Sequence, residues 1–157
     1  MTVRVRTASG RTMSTSHGAY WFEEQTWYGA AKMDGRAGYE LVVGSSMGAH
    51  RLEFRVITYR DGALTTAKAP GGAWRWVVDA SFSYNEGWFR TTSAAGTVIM
   101  TSKTAYRATE STHSSSVNRY IWRSGSWVRT SSSQSRVSDK TAWSYGGWHV
   151  PYLPVYV

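Results

Sequence analysis

The segment Gly44-Ser-Ser-Met-Gly48 has the Gly-x-Ser-x-Gly spacing of a nucleophile elbow, in which a serine on a sharp strand-to-helix turn attacks a carbonyl carbon. Residues 39–43 before it are apolar enough for the required strand. The residues after it alternate polar and apolar like a second strand, whereas an elbow must lead into a helix. We therefore interpret the segment as a glycine loop and expect no serine hydrolase.

Histidines and carboxylates are too scattered to predict a metal site or an acid–base pair. None of the four histidines forms a His-x-His or His-Glu-x-x-His pattern: they are His17, His50, His113 and His149. Glu23 and Glu24 are adjacent, and neighbours on a strand point to opposite faces. Gly35-Arg-Ala-Gly38 lacks the lysine and the helix of a phosphate-binding loop. We expect no catalytic residue, no metal and no cofactor.

A tryptophan motif is the most specific feature of the chain. Trp122-Arg-Ser-Gly-Ser-Trp127 recurs 21 residues later as Trp143-Ser-Tyr-Gly-Gly-Trp148, and a looser copy reads Tyr84-Asn-Glu-Gly-Trp-Phe89. Aromatic residues on either side of a turn glycine face each other in an antiparallel hairpin, so the motif predicts a hairpin closed by paired rings. The rings then lie in the core or an interface, or stack on sugars or bases. The candidate binding or interface residues are Trp88, Trp122, Trp127, Trp143 and Trp148.

Period-2 alternation predicts the strands that position these rings. About ten short strands, separated by glycine turns such as Asp61-Gly62, indicate an all-β fold with a single antiparallel sandwich or barrel over residues 1–157. Residues 118–152 form a duplicated tryptophan-rich hairpin unit within it. Residues 111–116 and 130–135 are rich in serine and threonine and are linkers, edge strands or loops. The predicted core is Leu52, Phe54, Val56, Trp74, Trp76, Val78 and Phe82.

Composition excludes several classes of function. The chain has no cysteine, so it forms no disulfide and no thiolate metal site. No apolar run approaches 18 residues and no export signal is recognisable, so we expect no membrane insertion. The net charge is +8, but 14 of the 18 basic residues are arginines that do not cluster in sequence.

Residues 121–130 and 142–150, each with a Trp-x-x-Gly-x-Trp segment, resemble tandem segments of minor tail proteins of tailed phages that infect actinobacteria. The resemblance covers about residues 118–152. It implies a β-rich structural component of the virion at the tail tip or in a tail fibre, with no catalytic site. Exposed rings and strand edges favour association, so we expect the chain to be made in the host cytoplasm and to assemble as a homo-oligomer and with other virion proteins.

Two alternatives belong to other classes of function. One is a carbohydrate-binding module that contacts host cell-wall glycan through tryptophan faces. The other is a β-barrel that binds single-stranded nucleic acid with mixed cations and rings. The residues for that second alternative are Arg55, Tyr59, Arg75, Trp76, Arg107, Tyr120 and Arg123.

Overall fold

The computed structural model describes residues 1–21 and 25–155 and has twelve strands and one short helix in that part of the chain. The elements are β1 Thr2–Arg6, β2 Thr12–Ser16, β3 Trp27–Ala31, β4 Glu40–Met47, β5 Arg51–Arg60, β6 Ala63–Ala67, β7 Trp76–Ala80, β8 Tyr84–Thr92, β9 Val98–Arg107, β10 Thr112–Arg123, β11 Ser126–Ser138, α1 Asp139–Trp143 and β12 Gly147–His149. The all-β prediction is confirmed.

Ten of the strands form one sheet, and β1 pairs with β2 in a separate antiparallel hairpin. The order along the sheet is β11-β10-β9-β8-β7-β5-β4-β3, with β6 paired to the second half of β5. All neighbours are antiparallel except β12, which runs parallel to β8. The turn between β5 and β6 is the predicted Asp61-Gly62 pair, and both residues have the positive φ of a tight hairpin turn.

The sheet folds over on itself. Trp76 of β7 and Trp127 of β11 have three strands between them, so a flat sheet would hold them roughly 19 Å apart at its usual strand spacing. Their ring centroids lie 6.4 Å apart. The two halves of the sheet therefore face each other, as in a sandwich, with the aromatic core between them.

Five of the seven predicted core residues are buried, and the other two are exposed. Leu52, Phe54, Val56, Trp76 and Val78 are buried together in one cluster, as the alternation on β5 and β7 predicted. By contrast, Trp74 is 53% exposed and Phe82 is 68% exposed. The alternation of residues 73–84 had suggested one continuous strand, which was wrong: β7 begins at Trp76, and a turn at residues 81–83 separates it from β8.

Strand β12 fills a gap between β7 and β8. Strands β7 and β8 pair only near their shared turn, and β12 takes the free side of β8 at Gly87. A Cβ on Gly87 would lie 2.0 Å from the carbonyl oxygen of Tyr145, and one on Gly146 would lie 2.9 Å from that of Asp79. Glycine at these two positions lets the three backbones approach. The looser motif copy around Gly87 is thus the middle of a strand and not a hairpin turn.

The two stretches rich in serine and threonine are strands. Residues 112–123 and 126–138 pair along their whole length as β10 and β11, with one irregularity between Arg119 and Tyr120. β11 is an edge strand of the sheet. In the described part of the chain, no helix is long and apolar enough to cross a membrane.

Candidate functional site: a cleft lined by tryptophans

The first copy of the tryptophan motif forms the predicted hairpin. Trp122 and Trp127 are cross-strand partners of β10 and β11, and their rings meet edge to face at 5.2 Å. Ser124 and Gly125 form the turn with φ of 51° and 81°, the signs that a two-residue hairpin turn requires. The local sequence therefore determines this ring pair.

The second copy does not form a hairpin, which corrects the prediction of a duplicated unit over residues 118–152. Residues 139–143 are helical: the Ser138 hydroxyl caps the helix by accepting from the Thr141 amide, and Asp139 lies in the first turn. Trp143 ends this helix and is 44% exposed, whereas Trp148 lies on β12 and is fully buried. The shared spacing therefore places the two rings in different environments.

Two of the five candidate tryptophans are core residues. Trp88 is 5% exposed and Trp148 0% exposed, and each ring contacts the ring of Trp76. Neither ring is presented to solvent, so neither provides a flat stacking surface. The packing interpretation of the motif applies to these two residues.

Trp122 and Trp127 instead line a cleft of about 420 Å³, together with Trp74. The cleft lies between the β10–β11 turn and the segment that joins β6 to β7. Its charged lining residues are Asp34, Arg36, Arg60, Asp61 and Lys68. We call this site the tryptophan cleft.

A glycine turn positions Trp74 at the mouth of the cleft. Gly71 and Gly72 have φ near +90°, and the turn is closed by hydrogen bonds from the Ala69 amide to the Ala73 carbonyl and from the Gly72 amide to the Ala69 carbonyl. The Arg55 guanidinium donates to the Trp74 carbonyl at 3.3 Å. The Lys68 ammonium lies 4.6 Å from the centre of the Trp74 ring, within cation–π range. The Trp74 ring is thus exposed but held in place, by the Arg55 hydrogen bond to its backbone and by the Lys68 ammonium near the ring.

Arg60 is fixed at the wall of the cleft by two acids. Its Nη2 donates to Asp34 at 2.6 Å and to Glu40 at 3.0 Å. Burial raises the pKa of Glu40, while the Met33 amide that donates to its other oxygen acts in the opposite direction. Thr58 also donates to Glu40, so the donors around this buried carboxylate are Met33, Thr58 and Arg60. Asp34 and Glu40 therefore hold Arg60 in place, and we assign no acid–base role to this pair of acids.

The other sequence candidates lie apart from the cleft. Residues 44–47 of the Gly-x-Ser-x-Gly segment belong to β4, so the interpretation as a glycine loop was wrong, and the strand-to-helix turn of an elbow is missing as well. A Cβ on Gly44 would lie 2.5 Å from the Trp21 ring, so this glycine serves close packing. Gly35 and Gly38 both have positive φ, in agreement with a turn. Glu23 and Glu24 lie outside the described residues.

The four histidines lie in separate parts of the fold. His50 pairs with Asp79 at 3.0 Å, and the fully buried His113 lies 3.1 Å from Asp139. His17 and His149 lie in other parts of the fold, where His149 stacks on Phe89 at 4.0 Å. In residues 1–21 and 25–155, no three histidine or acidic side chains come together as metal ligands.

Two rings proposed for nucleic-acid stacking are covered. Trp76 is a core residue, and Tyr120 is buried on β10. Arg75 pairs with Glu53 and Arg107 pairs with Asp139. The mixed set of cations and rings is thus not one continuous surface.

Trp74 is the cleft residue that sequence reasoning placed wrongly. Its period-2 spacing to Trp76 suggested a common face, but the Pro70-Gly-Gly72 turn just before it was a signal that the strand had not yet begun.

No protein-family model, no curated protein and no solved structure matches the chain.

Proposed function

We propose that the chain is a non-catalytic binding protein whose tryptophan cleft holds a saccharide chain. The observation that supports this proposal is the convergence of Trp74, Trp122 and Trp127 around one cleft that also carries charged side chains. The C–H face of a sugar ring packs against an aromatic face, while its hydroxyls take hydrogen bonds from polar groups at the rim. A cleft with both kinds of group suits such a ligand.

The contrast among the tryptophans supports the same function. Trp76, Trp88 and Trp148 are buried, as apolar rings in a small domain should be. Trp74 is held in the open by hydrogen bonds and a cation, although burying it would be favourable. A ligand that covers the Trp74 ring would bury the apolar surface that the protein itself leaves exposed.

The test is a titration of the purified chain with soluble glycans, followed by calorimetry and tryptophan fluorescence. The probes are chitohexaose, dextran, dextran sulfate and polygalacturonate. Covering about 60 Å² of ring surface at roughly 25 cal/mol per Å² gives about 1.5 kcal/mol, or close to a tenfold change in Kd. We expect Trp74→Ala and Trp122→Ala each to weaken binding by about that factor.

The matched control is Trp143→Ala, which removes another exposed ring, on α1 and away from the cleft. It should leave the Kd unchanged. Equal losses in all three variants, or no binding of any of the four glycans, would contradict the proposal.

The second candidate function is a structural component of a phage virion, of the minor tail or tail-tip kind. It is compatible with the first, because a tail protein can both assemble and contact host-wall glycan. The observation that favours it is the edge strand β11, whose 13 residues pair only with β10 in the described part of the chain. An edge of this length can pair with another copy or with another virion protein.

Sedimentation of the wild-type chain tests the assembly role. We expect an oligomer that Ser133→Lys together with Ser135→Lys converts to monomer, because lysine on an edge strand opposes pairing. Ser9→Lys, an exposed change in the β1–β2 loop, is the control. A monomeric wild-type chain that is also absent from purified particles by mass spectrometry would contradict this role.

A further inference from the structure

Net positive charge is concentrated in one third of the chain, because acidic residues are scarce there. Residues 87–138 hold seven of the 18 lysines and arginines but only one of the ten acidic residues, Glu110. This segment runs from β8 to β11 and includes the hairpin that forms one wall of the tryptophan cleft. It carries a net charge of +6 out of +8 for the whole protein.

Six of the seven cations of this segment have no carboxylate partner in the described residues. Among residues 1–21 and 25–155, Arg107 is its one member with a carboxylate within 4 Å. On β5 and the approach to β7, by comparison, Glu53 pairs with both Arg51 and Arg75. Burial lowers the pKa of Lys103, and the charge of Arg119 lowers it further, as expected where like charges lie together.

Two cations without a carboxylate partner in the described chain line the tryptophan cleft, and a third lies on the strand that supplies Trp127. Arg36 and Lys68 line it and are exposed. Arg129 is two residues beyond Trp127, so strand alternation puts it on the same face of β11 as that ring. Asp61 is the one carboxylate of the lining that is not in an ion pair within the described residues. Arg60 with its two acids carries one net negative charge, so the four cations here exceed the three acids by a single positive charge.

We propose that the ligand of the tryptophan cleft is an anionic glycan, a saccharide chain with carboxylate, phosphate or sulfate substituents. This inference rests on the proposed saccharide-binding function and names its ligand class. The sugar rings contact Trp74 and Trp122, and the acidic substituents contact Lys68 and Arg129. The long-range field of the +8 chain draws a polyanion to the cleft and raises the association rate at low salt.

A nucleic acid is a poorer fit to the same charge. Single-strand binding surfaces present successive rings along a basic groove, so that several bases stack in a row. Here Trp76 and Tyr120 are buried, and of the three rings that line the tryptophan cleft only Trp74 is exposed, so the cleft offers no row of open rings. A branched or kinked sugar chain needs only such a local aromatic site.

The test compares glycans that differ only in charge. Polygalacturonate is paired with its full methyl ester, and dextran sulfate with dextran. We expect the anionic member of at least one pair to bind about tenfold or more tightly than its neutral counterpart, and its affinity to fall as salt rises from 50 to 300 mM. Arg129→Gln should weaken anionic binding by about threefold to fivefold, with little effect on a neutral glycan. Lys68→Met should weaken anionic binding at least as much, and it should also weaken neutral binding somewhat because Lys68 lies against the Trp74 ring.

One control variant and two possible outcomes separate this inference from the function on which it rests. Lys140→Met removes an exposed cation on α1 and should not change the Kd. If the neutral and anionic glycans of each pair bind equally, with no salt dependence, the proposed ligand class is wrong while saccharide binding stands. If no glycan binds, the proposed function fails as well.

Two further results would overturn the inference. Anionic binding that is unaffected by Trp74→Ala would mean adsorption by charge outside the cleft. Tighter binding of an oligothymidylate than of either anionic glycan would identify a nucleic-acid site.

Discussion

Replacing Trp148 by alanine tests the central packing argument. This ring is fully buried, with centroids 5.5 Å from Phe54 and 5.7 Å from Trp76. It joins the short strand β12 to core residues of β5 and β7. Its removal leaves a large cavity at the point where these three elements meet.

The magnitude follows from two opposing effects. A buried tryptophan replaced by alanine costs about 3 to 5 kcal/mol of unfolding free energy. The indole Nε1 of Trp148 is buried without a hydrogen-bond partner in the described structure, and its removal relieves part of that cost. We therefore expect a loss near the lower end, about 3 kcal/mol, which lowers the Tm by roughly 6 to 12 °C for a chain of this length.

Urea unfolding followed by circular dichroism measures the effect, with Trp143→Ala as the matched control. The two residues belong to the same motif, but Trp143 is 44% exposed, so its replacement should cost less than about 1 kcal/mol. An unchanged m-value would show that the transition still exposes the same surface. Equal losses for the two variants, or a loss below about 1 kcal/mol for Trp148→Ala, would refute the assignment of Trp148 to the core.

Two other predictions concern β12. Gly87→Ala should lower stability by about 3 kcal/mol or more, because its Cβ would lie 2.0 Å from the Tyr145 carbonyl oxygen, whereas Gly18→Ala, with open space around it, should have little effect in the same unfolding assay. Burial lowers the pKa of His149, so the folded state binds fewer protons than the unfolded state and stability should fall as pH drops below about 6.5. His149→Phe keeps the stacking on Phe89 and should reduce this acid-side loss; an identical pH profile for the variant would contradict the assignment.

Local sequence was sufficient for features that depend on neighbours along the chain. Alternation identified the buried face of β5, because successive side chains of any strand point to opposite sides. The Asp61-Gly62 and Ser124-Gly125 turns need only residues that accept positive φ. The ring pair of Trp122 and Trp127 follows from such a turn, since the register of a two-residue hairpin is set by the turn itself.

Some elements were beyond local patterns because their side chains give no periodic signal. β11 has exposed residues at most positions, so its length comes from hydrogen bonding to β10 rather than from a buried face. Helix α1 is only five residues long, too short for a helical period to appear in the sequence.

The cleft and the core depended on contacts that are distant in sequence. Trp143 and Trp148 share one motif with Trp122 and Trp127, yet β12 is placed by its pairing with β8, about 60 residues earlier. Trp74 lines the cleft because the folding of the sheet brings β11 opposite the turn that precedes β7. The sequence by itself determined which residues alternate and where hairpins turn. Tertiary structure alone decided which rings are covered, because the burial of a side chain depends on the distant strand that packs against it.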